Sequence, residues 1–214
     1  AYEQANYSGA FSIFYGYLLD HPGDYRCRVG AARCRKHLKQ FAAAHDEFML
    51  ARQDVEDSGL EAEMAYCLAM DARHEPAVAW GRVAVRKGET AIAWNNLGAS
   101  LLRYPTLAGP DGQSSVAQTK WGLREAVDCF KRAIDLDENL HVAKHNLGRA
   151  MLRRKLFGDA EISEAEIAIV EDAAVHLMRG LVYFDLARLY ALLPDVKDAD
   201  RRMAIECLEK AADH

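Results

Sequence analysis

Two histidines, His141 and His145, stand four residues apart, the spacing that places two imidazoles on one face of a helix where they could ligate a metal ion. No third ligand is identifiable from the sequence, so a metal is not expected, and His141 reads instead as a residue at a helix start. His37, His45, His74 and His176 are isolated and read as surface or packing residues. Asp195, Asp198 and Asp200 crowd the segment P-D-V-K-D-A-D-R-R. A calcium loop needs a glycine at its turn and a distal glutamate, and this segment has neither, so it reads as a solvated turn. Cys27 and Cys34 are seven apart, two helical turns, and share a face; without a C-x-x-C they read as small core residues. The sequence holds no G-x-S-x-G, no glycine-rich phosphate loop and no H-E-x-x-H. No catalytic residue and no cofactor is therefore expected.

The elements that position these residues follow from composition. Among 214 residues there are 36 alanines and 23 leucines but five prolines, a mixture that favours helix. Half the residues are apolar, which excludes a disordered chain. Lys and Arg number 27 against 32 Asp and Glu, a net charge of −5 with a pI near 5.9. The chain as a whole is not a non-specific nucleic-acid binder, although a local basic patch is compatible with that balance. The longest uncharged stretch, 4–19, contains Asn6, Ser8, Gly9 and Gly16 and lacks a basic leader, so neither a membrane span nor a signal peptide is expected. Five scattered cysteines, Cys27, Cys34, Cys67, Cys129 and Cys207, read as reduced thiols in a reducing compartment, most simply the cytoplasm.

The chain also repeats itself. W-N-N-L-G at Trp94 is echoed by H-N-L-G at His145, and Ala126, Phe130 and Ala133 are spaced four and three along one helical face. Ala10, Phe14, Tyr17 and Pro22 have the same register as Ala44, Phe48 and Ala51, with Phe41 ahead of them. Ala77 and Ala84 continue it, with Gly81 where Phe would stand. Leu147, Gly148, Met151, Phe157 and Ala160 mark another unit; Tyr183, Leu186, Ala187, Tyr190, Ala204, Leu208 and Ala211 mark the last. The first registers step by 34, 33 and, allowing for an insertion, 33 residues. This pattern resembles the tetratricopeptide repeat (TPR), a pair of antiparallel helices. The resemblance covers nearly the whole chain. It implies an all-α, right-handed superhelical solenoid of stacked antiparallel helix pairs. The expected organisation is a single repeat domain over 1–214. A partial first repeat covers 1–24, and repeats follow at about 25–57, 58–90, 91–140, 141–173 and 174–214.

Three departures stand out. The chain starts inside a repeat, with Ala1 near the end of a first helix, as in a fragment of a larger protein; an apolar repeat end left without a neighbour would self-associate. An insertion of about 16 residues lies within 103–123, where Pro105, Gly109, Pro110 and Gly112 oppose helix and Trp121 could anchor the return. A shift of about five residues precedes the last unit, and 194–202 reads as a second, charged insertion.

The resemblance also implies a binding face, because the first helix of each TPR lines an inner groove that often holds an extended peptide. It places Arg26, Arg33, Lys36 and His37 there from the second repeat, and Glu63 and Tyr66 from the third. Asn95, Asn96 and Arg103 come from the fourth, His145, Asn146, Arg149 and Arg153 from the fifth, and Asp185 and Arg188 from the sixth. The expected peptide-binding residues are Arg33, Lys36, Asn95, Asn96, His145, Asn146, Arg149, Arg153 and Arg188. Asn96 and Asn146 both precede Leu-Gly, and in some family members such asparagines bind a guest backbone. Val29 and Ala62 stand where the family's chaperone-tail clamp has lysine, which argues against that partner. The expected function is a non-catalytic protein–protein interaction module for an extended, acidic peptide, because Arg pairs carboxylates in a bidentate fork. The alternative is a self-associating scaffold.

Overall fold

The structure is a computed structural model that describes residues 2–53, 58–103, 116–159, 161–193 and 196–213. Among them there are eleven α-helices and no strand. They fall into two compact units, Ala1–Glu89 and Thr90–His214.

The first unit holds α1 (Tyr2–Asp20), α2 (Tyr25–His37), α3 (Phe41–Arg52), α4 (Ser58–Met70) and α5 (His74–Lys87). Helix α1 runs unbroken from Tyr2, with no turn after the first residues where the repeat register places one. Asp24 opens α2 by accepting a hydrogen bond from the Cys27 N–H at 2.9 Å, which satisfies one of the unpaired donors of a helix start. Three residues separate α2 from α3, enough only to return the chain antiparallel. Phe48, Leu60 and Met64 then fill the space between alanines at 32, 44 and 51, all buried. Small residues let two helices approach, and large ones close the gaps between pairs.

The second unit holds α6 (Ala91–Arg103), α7 (Val116–Leu136), α8 (His141–Leu156), α9 (Glu164–Leu177), α10 (Gly180–Ala191) and α11 (Asp198–Asp213). Each helix packs on the next, and α8 also packs on both α6 and α10, so the first helices of the three pairs form one row. The close approach is tightest at two glycines. A Cβ on Gly98 would lie 2.8 Å from the buried ring of Phe130, and one on Gly148 would lie 2.8 Å from Val170. Gly30 of the first unit meets Phe14 in the same way.

After both expected insertions the next helix begins earlier than the sequence suggested. Residues 104–115, with Pro105, Gly109, Pro110 and Gly112, lie outside the described residues, but 116–123 are already the first two turns of α7. Trp121 lies within this helix and is more than half exposed, while Leu123 is buried. At the second site, 194–195 lie outside the described residues, and α11 begins at Asp198. The Asp200 carboxylate accepts the Lys197 N–H at 2.8 Å, and Asp198 pairs with Arg201 at 3.1 Å. These acidic groups start a helix, where they complement its dipole, instead of extending a turn. Ala1, Ala160 and His214 also lie outside the described residues. No helix among the described residues is long and apolar enough to cross a membrane.

Candidate functional site

The expected binding residues divide between the two units. In the first, Arg33 and Lys36 lie on α2 and meet Glu63 on α4, at 3.5 Å and 2.6 Å; Lys36 also lies over the Tyr66 ring. One carboxylate thus takes both cations. Arg26 turns back onto Tyr25, and His37 stacks on Tyr7. Val29 packs against the Phe48 core and Ala62 is buried, so both positions expected to carry lysine in a chaperone-tail clamp are packing positions here.

In the second unit the row formed by α6, α8 and α10 brings the other residues together. Asn146 on α8 donates its amide to Asn95 on α6 at 3.0 Å, and Asn95 donates to Asn96 at 3.4 Å. Asn95 is buried, so its carbonyl depends on Asn146. Asn96 and Asn146, aligned in the sequence as equivalent sites, are thus joined through Asn95. Arg153 donates to the carbonyl of Leu102 in the last turn of α6, a group that the helix itself leaves unpaired. Burial, with Arg149 nearby, pushes the Arg153 guanidinium below its usual range.

Next along the row, Asp185 of α10 gathers two guanidinium groups and an imidazole. His145 lies at 3.1 Å, Arg188 at 3.6 Å and Arg149 at 3.9 Å. Asp185 is 5% exposed, whereas the Arg149 and Arg188 side chains are about two-fifths exposed. A cleft of about 320 Å³ opens beside them. Its walls are Arg149, Leu152, Arg153 and Leu156 on α8, and Leu181, Phe184, Asp185 and Arg188 on α10. Leu156, Leu181 and Phe184 are largely exposed. Three guanidinium groups face one carboxylate, so the cleft is cationic with an apolar floor.

The apolar half of this cleft was missed in the sequence. A signal was present: residues 149, 152, 153 and 156 and residues 181, 184, 185 and 188 have the same spacing along one helical face. That spacing is ordinary for a buried stripe, and exposure distinguishes the two cases.

The histidine pair is also redistributed. His145 belongs to Asp185, whereas His141 turns to α9, where its Nδ1 lies 3.1 Å from Asp172. His176, read as isolated, stacks on the His141 ring with centroids 3.9 Å apart. The Lys144 ammonium also bonds Asp172, and its hydrogen bond, with the two histidines beside it, holds the Asp172 carboxyl below its usual range despite partial burial.

No protein-family model and no curated protein matches the sequence. Solved structures match the fold. YrrB, a TPR protein with an unusual peptide-binding site, aligns with a TM-score of 0.58 at 15% identity, over 94% of this chain and 91% of that one. The C-terminal part of a TPR repeat-containing protein from Cytophaga hutchinsonii aligns at a TM-score of 0.40 and 13% identity, over 97% and 94%. The likeness to YrrB establishes the fold as that of TPR proteins, as the sequence resemblance implied.

Proposed function

We propose that the chain is a non-catalytic interaction module and that the α8–α10 cleft binds an extended acidic peptide segment with an apolar residue beside its carboxylate. The observation that carries this is the pairing of exposed Leu156, Leu181 and Phe184 with half-exposed Arg149 and Arg188 around one cleft. Exposed apolar side chains grouped with cations are the composition of a binding surface. Arg149 and Arg188 take the carboxylate; Asp185 holds the two guanidinium groups in place, and His145 holds Asp185. Asn96 lies along the same row, held by Asn95, which Asn146 holds in turn; Arg153 ties α8 to the end of α6. Arg33 and Lys36 belong to the other unit, where Glu63 holds them. Five free thiols, four of them buried, fit work in a reducing compartment.

The test is fluorescence anisotropy with labelled acidic peptides carrying Leu or Phe next to Asp or Glu. Charge-assisted hydrogen bonds are worth about 1.5–3 kcal/mol, so Arg149→Glu is expected to weaken binding at least tenfold. An unchanged affinity in that variant removes the cleft from the proposal.

A second reading, self-association, rests on α1, where Ile13, Tyr15, Tyr17 and Leu19 are exposed. Sedimentation equilibrium tests it: Ile13→Glu with Leu19→Glu is expected to abolish any dimer. A parent that sediments as a monomer at high concentration sinks this reading.

A further inference from the structure

We propose that His141, Asp172 and His176 form a site for one divalent transition-metal ion of the zinc type. Each offers one ligand atom, and the three atoms lie within 4.8 Å of one another. Asp172 and His176 are four apart on α9 and so share a face, while His141 is the first residue of α8. The site spans the two helices of one pair. It is separate from the cleft, which lies between α8 and α10.

The donor set selects the ion. Two imidazoles and a carboxylate suit zinc, copper or nickel; calcium and magnesium require oxygen shells. Three protein ligands leave a fourth position for water or for a donor from a partner. The three side chains are neighbours that must turn to converge on an ion: His141 Nδ1 lies 3.1 Å from the Asp172 carboxylate, the two rings stack with 6° between their planes, and His176 Nδ1 donates to the Asp172 carbonyl at 2.8 Å. The Asp172 carboxylate is where positive charge is favourable. Lys144 supplies that charge in the metal-free protein. An entering ion takes its place on Asp172, and the ammonium, on a flexible stem, swings away.

The test uses the full chain, stripped with a chelator and titrated with Zn²⁺ by calorimetry, and in parallel with Co²⁺ by absorption. One equivalent is expected. Loss of a group that merely orients a ligand costs 10- to 100-fold in metal affinity, so His176→Ala should lose at least tenfold. His176 is half exposed, so this variant is expected to fold, and circular dichroism checks it. Lys144→Met should bind more tightly than the parent, because no ammonium competes for Asp172. The cobalt spectrum should lack a thiolate charge-transfer band. A parent that takes up no zinc, a His176→Ala protein that titrates like the parent, a Lys144→Met protein that binds more weakly, or a thiolate band each overturns the assignment.

Discussion

At the scale of single residues, Glu61 carries a large electrostatic commitment. Its side chain is fully buried on α4, and one of its oxygens accepts both Arg52 at 2.9 Å and Lys87 at 2.8 Å. Burial pushes the carboxyl pKa up, but the hydrogen bonds and charge of Lys87 and Arg52 outweigh it, and the net direction is down. A carboxyl with a depressed folded pKa stabilises the fold above its unfolded value, and that contribution is lost as pH falls through the folded value. Glu61→Gln should therefore destabilise by about 1–3 kcal/mol at pH 7. Its deficit in urea unfolding should shrink below about pH 4.5; a deficit constant from pH 7 to pH 3 contradicts the argument. Nothing in the sequence marks Glu61 apart from Glu63, two residues on. The two sit on different faces of one helix, and only packing shows which is buried. The histidines have the same limitation. Their spacing gave a shared face on α8, but which carboxylate each one meets depends on α9 and α10.

At the scale of elements, the alternation of helices was legible because small and large residues recur in phase: Ala44, Phe48 and Ala51 occupy the buried face that their spacing predicts. Helix ends were less legible. Pro105 and Gly109 suggested a loop continuing to Leu123, yet α7 starts at Val116, because Leu123, Ala126 and Val127 form a stripe that needs a preceding turn to reach the core. Helix α2 ends with the Gln40 N–H on the Arg35 carbonyl and the Lys39 N–H on the Lys36 carbonyl, which forces Lys39 to a φ of 61°. After α8 the same turn uses Gly158 at 62°. An L-residue in this left-handed region is strained by about 1 kcal/mol relative to glycine. Lys39→Gly should therefore raise the melting temperature and Gly158→Ala should lower it, each by about 1 kcal/mol. Thermal denaturation of the two variants checks the pair; shifts of the same sign sink the explanation. Gly98→Ala probes the opposite constraint. Its backbone is ordinary helix, and the new methyl would strike Phe130, so a loss of about 1–3 kcal/mol is expected from overpacking.

At the scale of the molecule, stability in a repeat array is a sum of neighbour terms, so helices with neighbours on both sides open less often than helices with a neighbour on one. Four of the five thiols test this directly. Cys67 sits on α4, between α3 and α5, and Cys129 on α7, between α6 and α8. Cys207 is on α11, which packs chiefly on α10. Cys27 is half-buried, and the other four are buried. Only the thiolate reacts, and burial pushes the Cys67 thiol up to about 12, so the folded form is nearly inert there and labelling follows opening. Pulsed alkylation of the native protein, read by peptide mass spectrometry, should therefore modify Cys27 first, Cys207 next, and Cys67 and Cys129 last. If Cys207, Cys67 and Cys129 are labelled at one common rate, opening is all-or-none, and the additive account of this fold is wrong.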